Sequence, residues 1–286
     1  MSTTIGRSPR VFVPLHISGF WVPRRGPDVL STGSVGAGIT IVPHLVAWAK
    51  AVGTCGIYVN GSSSLASHAT HICARHGIDL SIGARTSVGL GLGAGVSAAL
   101  SLALSSLASL ITRRYIDHRA TWPAHEAEVL NGTGLGDVMA EYLGGLVVRT
   151  RPGPPGVGEA QRIVVSEDPS LLLVDLGTRI STKEMLDRMD GRALSAGAEA
   201  LQEFLEEPTL ERFFEISRRF TATLFNYTTA FKALEGLRGV VSYFVKKNLL
   251  VLWAEDEFVD EVREALGARG LWVIPCRLSR TGLIAL

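Results

Sequence analysis

Charge is scarce in this chain. Of its 286 residues only 19% are Asp, Glu, Lys or Arg, the formal net charge is +1, and aromatic side chains make up 7%. So even a balance gives no basic footprint for nucleic acid, and the aromatics are too few for a base-stacking platform. Disorder is excluded as well, because 47% of the chain is hydrophobic, enough to bury a core. Cysteine is rarer still. Cys55, Cys73 and Cys276 are odd in number, far apart and form no CxxC pair. That usage predicts a reducing compartment, with neither a disulfide framework nor a zinc knuckle. The opening residues MSTTIGRSPR are polar and lack an apolar run, so no secretory signal is expected and the location is read as cytoplasmic.

What the chain has in excess is glycine, 31 residues, and one long uncharged stretch from Thr86 to Thr112. By length that stretch suits a bilayer span. Its pattern does not: it opens on GLGLGAG, a flexible entry that hydrocarbon penalises. Ser97, Ser101, Ser105 and Ser109 then recur every four residues and form a polar stripe on a predicted helix from about Val96 to Tyr115. Val96, Leu100, Leu104, Leu107 and Ile111 form the opposite face. A buried helix of a soluble protein is the expectation, with no membrane partner.

Around this stretch, short β-branched runs bounded by Gly and Pro predict strands at Val11–Ile17, Gly38–Val42, Leu45–Ala49 and Gly56–Asn60. A helix is expected over Ser62–His76 and another near Pro123–Leu130. The segment Arg151–Glu159, RPGPPGVGE, reads as a linker because it breaks both periodicities. Beyond it come strands at Arg162–Val165 and Leu171–Leu176, a capping-box helix start at Ser181–Glu184, helices through Ala193–Leu237, and a strand at Asn248–Ala254. Strands and helices mix without strict alternation, so the fold class is α+β, in two domains over residues 1–156 and 157–286.

The glycine run is a candidate anion site, since residues without side chains let backbone N–H groups approach phosphate oxygens at a helix N-terminus. Two nucleotide motifs fail here. A G-x-G-x-x-G fingerprint meets Val96 or Ala94 at its third glycine, and no Gly-Lys pair exists for a Walker loop. Close packing of helix on strand remains the structural alternative.

Three segments carry a resemblance. GLGLGAGVSAALSLAL (Gly89–Leu104) resembles the phosphate loop of the GHMP kinases. VPLHISGF (Val13–Phe20) with GSVGAGI (Gly33–Ile39), and above all HEAEVLNGTGLGDVMAEYLGGLVVRTRPGPPG (His125–Gly156), are similar to the archaeal pantoate kinase family within that superfamily. The resemblance implies phosphorylation of the 4-hydroxyl of pantoate by ATP with Mg2+, on the way to coenzyme A. It also implies an N-terminal domain like the second domain of ribosomal protein S5, a ferredoxin-like C-terminal domain and a homodimer. A GHMP kinase for another small hydroxy acid or alcohol, or a non-catalytic relative that binds nucleotide or metabolite, remains the alternative.

By the same resemblance, Asp137 is the base, although an aspartate after GLG also suits a helix cap. Glu128 is a Mg2+ ligand, with Glu126 beside it read as solvated. His125, one turn before Glu128, hydrogen-bonds the substrate. Arg149 clamps the pantoate carboxylate bidentately, with Arg151 its competitor, and Ser34 offers a polar group to the substrate. Gly89, Gly91, Gly93, Ala94, Gly95 and Ser97 cradle the nucleotide. Where the superfamily carries a loop serine, this chain has Gly95, so Ser97 is expected to serve both phosphate and metal. Near the C-terminus VVSYFVKKNLLVLW (Val240–Trp253) replaces a small-residue loop, and its Lys246 or Lys247 is either a charge near ATP or a solvated helix end. His68, His71, Cys73 and His76 crowd one predicted helix, but only the first two share a face, which speaks against a zinc site.

Overall fold

The computed structural model describes residues 9–177, 182–187 and 189–286. The predicted helix start at Ser181 lies outside the described residues. Strand β1 spans Arg10–Arg24 and β2 Gly33–Val52, paired antiparallel along most of their length. The two short runs predicted at 38–42 and 45–49 are therefore one strand. Pro43 lies between them, but β2 continues through it into register with β5.

Next come β3 (Gly56–Val59), β4 (Ser62–Ser64), α1 (Ala66–His76) and β5 (Leu80–Arg85). Helix α2 (Val96–Arg113) is followed by α3 (Trp122–Asn131), α4 (Asp137–Leu143), β6 (Leu146–Arg151) and β7 (Glu159–Ile163). The remaining elements are β8 (Ser170–Asp175), α5 (Thr182–Asp187), α6 (Gly191–Glu206), α7 (Leu210–Thr221), α8 (Thr228–Leu234), β9 (Val240–Lys246), β10 (Leu249–Ala254), α9 (Val259–Ala268), β11 (Trp272–Leu278) and β12 (Ile284–Ala285). Fold and class agree with the α+β expectation.

One continuous sheet organises these strands, in the order β4-β3-β5-β2-β11-β8-β10-β9. β2 is its hub, meeting β6 at Gly36–Ile39, β11 at Ile41–Val42 and β5 at Val46–Val52. Strand β1 is buried along nearly its whole length, because α2 and α4 pack against it and so do α6 and α7. Phe20 stacks edge-on against Phe204, and Gly19 leaves room for the ring of Phe213.

Helix α2 is a core helix. Every residue from Val96 to Ser109 is buried except Ser97, among α1, α3, α4 and the strands β1, β2 and β5. The serine stripe faces protein: Ser105 Oγ donates to the Ala120 carbonyl at 2.6 Å and Ser109 Oγ to that of Tyr115 at 2.9 Å.

Two expectations are corrected. The linker of residues 151–159 is a hairpin loop, since β7 turns back to pair with β6, so a division at residue 156 would cut a hairpin. The strand expected at Arg162–Val165 starts earlier, at Glu159, and its return onto β6 is a long-range pairing that local pattern does not give. Cys55 and Cys73 are joined in a disulfide with Cα atoms 6.4 Å apart. Spacing of 18 residues gave no sign of this, because only the fold brings the start of β3 beside α1.

Candidate active site

The glycine run becomes a loop that joins β5 to α2, with φ of +85° at Gly91, +107° at Gly93 and +63° at Gly95. Across from it the turn Thr133–Gly136 leads into α4, whose first residue is Asp137. Between them lies a cavity of about 260 Å3, lined by Gly91, Gly93, Ala94, Gly95 and Ser97 on one side and Gly134, Gly136 and Asp137 on the other. Ser34, Trp21, Met185, Lys246 and Lys247 also line it. Gly89, Glu128 and Arg149 are not part of the lining.

Asp137 is held by a residue that the sequence reading left without a role. His16, fully buried in β1, places Nδ1 2.6 Å from Asp137 Oδ1, and its Nε2 lies 3.3 Å from Arg149 Nη1. Those partners assign the tautomer: Nδ1–H donates to the carboxylate, and Nε2 accepts from the guanidinium. Burial lowers the basicity of His16, more than Asp137 raises it, so the ring is neutral. Burial also pushes the Asp137 carboxyl upward, but the hydrogen bond from His16 and the nearby Lys246 and Arg149 outweigh it. The carboxyl sits below its ordinary value and is ionised. A titratable side chain amid an otherwise apolar strand was the only signal for His16.

Glu128 is buried beside the loop. Ser97 Oγ donates to its Oε2 at 3.0 Å, Ser101 Oγ lies 3.4 Å from Oε1, and His68 Nε2 is 3.2 Å from Oε1. Two positions earlier, Glu126 is not solvated as expected: it is buried and pairs with Arg75 and His71. The helix phase was misread there, because α1 covers that face of α3. The four metal-ligating residues of α1 go separate ways, His68 also to Thr133, His71 to Glu126, Cys73 to the disulfide and His76 to Ser105.

Mg2+ fits this arrangement. A Cβ on Gly134 would lie 2.7 Å from both Glu128 Oε2 and Asp137 Oδ2, so the glycine keeps open a space edged by two carboxylates. Ser97 reaches the same carboxylate from the first turn of α2, and hard oxygen donors are what the ion selects.

Arg149, in β6 opposite Gly36, is 1% exposed and lies behind Gly136, where a Cβ would come within 2.6 Å of both its Nε and Ser34 Oγ. Its Nε and Nη2 have no hydrogen-bond partner among the described residues. Burial lowers its pKa to about 10, partly offset by Asp137, and the side chain stays cationic. Arg151, its competitor, is exposed and pairs with Glu159. His125 does not line the cavity: its Nε2 is 2.9 Å from the Thr32 carbonyl, which fixes the chain just ahead of Ser34. Sequence spacing put it on one face with Glu128, but the loop before β2 covers that end of α3.

Lys246 and Lys247 are no solvated helix end. They form the tip of the β9–β10 hairpin, buried, with Lys247 at φ +55°. Lys246 Nζ stands 3.1 Å from the centre of the Trp21 ring, and Lys247 Nζ donates to Thr182 Oγ1 at 2.7 Å. Burial and the neighbouring Lys247 pull the Lys246 ammonium well below its usual value.

No family model matches the chain. Among curated proteins it is 34% identical over 227 residues to pantoate kinase of Thermococcus kodakarensis, covering 74% of each chain. It is 32% identical to pantoate kinase of Methanocaldococcus jannaschii, over 73% of this chain and 78% of that one. The chain belongs to the pantoate kinase family. A solved phosphotransferase described as related to the CoA biosynthesis pathway superposes at a TM-score of 0.83, with 25% identity over 97% of this chain and 98% of that one. Mevalonate kinase superposes at 0.68 with 11% identity, over 94% and 99% of the two chains, a likeness of fold alone. The chain therefore has the GHMP kinase fold, with the cavity between its glycine loop and Asp137.

Proposed function

We propose that this member of the family transfers the terminal phosphoryl group of ATP to the 4-hydroxyl of pantoate, and that the cavity around Asp137 is where it does so. The observation that carries the reading is the ionised Asp137 carboxylate, tied to neutral His16 and facing the loop Gly91–Ser97 across one cavity. Phosphoryl transfer needs positioning and charge neutralisation more than covalent help from the protein. Backbone N–H groups of the glycine loop and the N-terminus of α2 would receive the triphosphate, with Lys246 and Lys247 opposite. Ser97 and Glu128 would hold Mg2+, which supplies neutralising charge on the phosphates.

Asp137 Oδ2, free of the His16 bond, would take the hydroxyl proton as the pantoate oxygen adds to the terminal phosphorus and ADP leaves. The unpartnered Nε and Nη2 of Arg149 suit a carboxylate, and Ser34 Oγ suits a hydroxyl of the substrate. Trp21 and Met185 give the wall an apolar face for the dimethyl carbon. His125 acts on the substrate through the Thr32–Ser34 chain. We include in the proposal an N-terminal phosphate-loop domain ending near Ile163, after the β6–β7 hairpin, a ferredoxin-like remainder, a homodimer and a cytoplasmic location. The enclosure of α2 in protein speaks against its spanning a membrane.

The test is ADP release by the purified protein with pantoate, mevalonate, homoserine and galactose. Turnover with pantoate at least tenfold above the others supports the assignment. Turnover with another alcohol instead would move it elsewhere in the superfamily, and nucleotide binding without turnover would favour the non-catalytic relative.

A further inference from the structure

The departure of the loop at Gly95 has a structural counterpart on another helix. Gly95 caps α2 at φ +63°, and a Cβ there would stand 2.4 Å from Glu141 Oε1 and 3.1 and 3.2 Å from the backbone O and N of His16. Glu141 is on α4, four residues after Asp137, so the two carboxyls share a face of one helix. Its side chain is wholly buried, and neither oxygen has a hydrogen-bond partner of ordinary geometry among the described residues. An unpaired buried carboxyl costs stability, so its presence under the loop calls for a gain elsewhere.

We propose that Glu141 is a positioning residue for the phosphate loop. Its carboxyl, sent up from the helix that bears Asp137, fills the space a side chain at position 95 would take. It thereby fixes the end of the loop and the first turn of α2, with Ser97, in the geometry that receives the triphosphate. Base and loop are then set by one rigid element, since α4 carries both Asp137 and the wedge beneath Gly95. Burial raises the Glu141 carboxyl well above its ordinary value, Asp137 and Glu128 add to this, and the His16 backbone N–H opposes it. The wedge is thus a neutral acid, which an amide of the same shape reproduces.

The inference rests on reading Gly89–Gly95 as a phosphate loop, so the test measures ADP binding by calorimetry apart from pantoate turnover. Glu141→Gln should bind ADP within about twofold of wild type, whereas Glu141→Ala should bind on the order of tenfold more weakly, as loosened positioning does. In Glu141→Ala, KM for ATP should rise with the dissociation constant, kcat should fall less, and KM for pantoate should stay put. Gly95→Ser should also weaken ADP, and the double variant Gly95→Ser/Glu141→Ala should be less impaired than the product of the two single effects. ADP affinity unchanged in folded Glu141→Ala, or strictly multiplicative effects in the double variant, would overturn the proposal. Should Glu141→Ala not fold, Gly95→Ala tests it from the other side. A methyl there must displace the carboxyl and is strained at φ +63° in any case, so the readout is Gly95→Ala against Gly95→Ala/Glu141→Asp: ADP affinity recovered on shortening the acid supports the wedge, and equal affinity overturns it. No ADP binding by the wild type would instead overturn the phosphate-loop reading.

Discussion

Asp137 would be a helix cap like many others without its neighbours; His16 on one oxygen and Gly134 clearing the other support its proposed role as the base. Asp137→Asn should therefore cut kcat on the order of a thousandfold with little change in ADP affinity, as removal of a general base does, read by steady-state kinetics beside calorimetry. Arg149→Lys keeps the charge but loses the fork. It should raise KM for pantoate by roughly ten- to a hundredfold, the worth of charged hydrogen bonds, while KM for ATP holds. These residues were legible because a glycine-flanked aspartate and a strand-ending arginine sit in a contiguous motif. His16 was not. Its partner lies 121 positions away, and only the β1–α4 contact brings them together. His125 erred for a related reason: periodicity gives the face of a helix but not which neighbour covers it.

Among elements, α2 decides most. Its apolar length suits a membrane, yet the serines of its stripe meet protein, and small residues let it approach α1 and α3 closely. Leu104→Ala should lower unfolding stability by about 2–5 kcal/mol, as buried leucine truncations do, measured in urea without detergent. The disulfide ties β3 to α1 across a separation of 18 residues. Closing a loop of that size contributes about 3 kcal/mol in chain-entropy terms, so reductant or Cys73→Ser should lower the melting temperature. Period and breakers made α2, α3 and β8 visible in the sequence. The β9–β10 hairpin stayed hidden because Lys246 and Lys247 read as a solvated end, whereas a φ of +55° at Lys247 turns the chain and folds both lysines into the site.

At the scale of the molecule, the even charge now has a meaning. A small-anion site needs a few placed donors, the buried Arg149 cation among them, and no basic surface. The buried acid Glu141 leaves a signature in pH. Its folded pKa is raised above the ordinary 4.5, so between those values the folded chain holds a proton that the unfolded chain has lost, and stability falls as pH rises. Glu141→Gln should remove that slope, so its urea midpoint should gain on the wild type from pH 5 to 8; parallel curves would contradict a neutral Glu141. The α+β class was legible from mixed strands and helices, but the single continuous sheet was not, because β2 is shared among four partners far apart in sequence. The proposed role of Asp137 is to take the proton of a pantoate hydroxyl beside a nucleotide loop. Its most direct test is phosphorus NMR of the product formed from ATP and pantoate by wild type and by Asp137→Asn. The expected product is a phosphomonoester on the 4-oxygen, formed on the order of a thousandfold more slowly by the variant at equal ADP affinity. No pantoate-dependent phosphoester from the wild type, or equal rates from the two proteins, would contradict it.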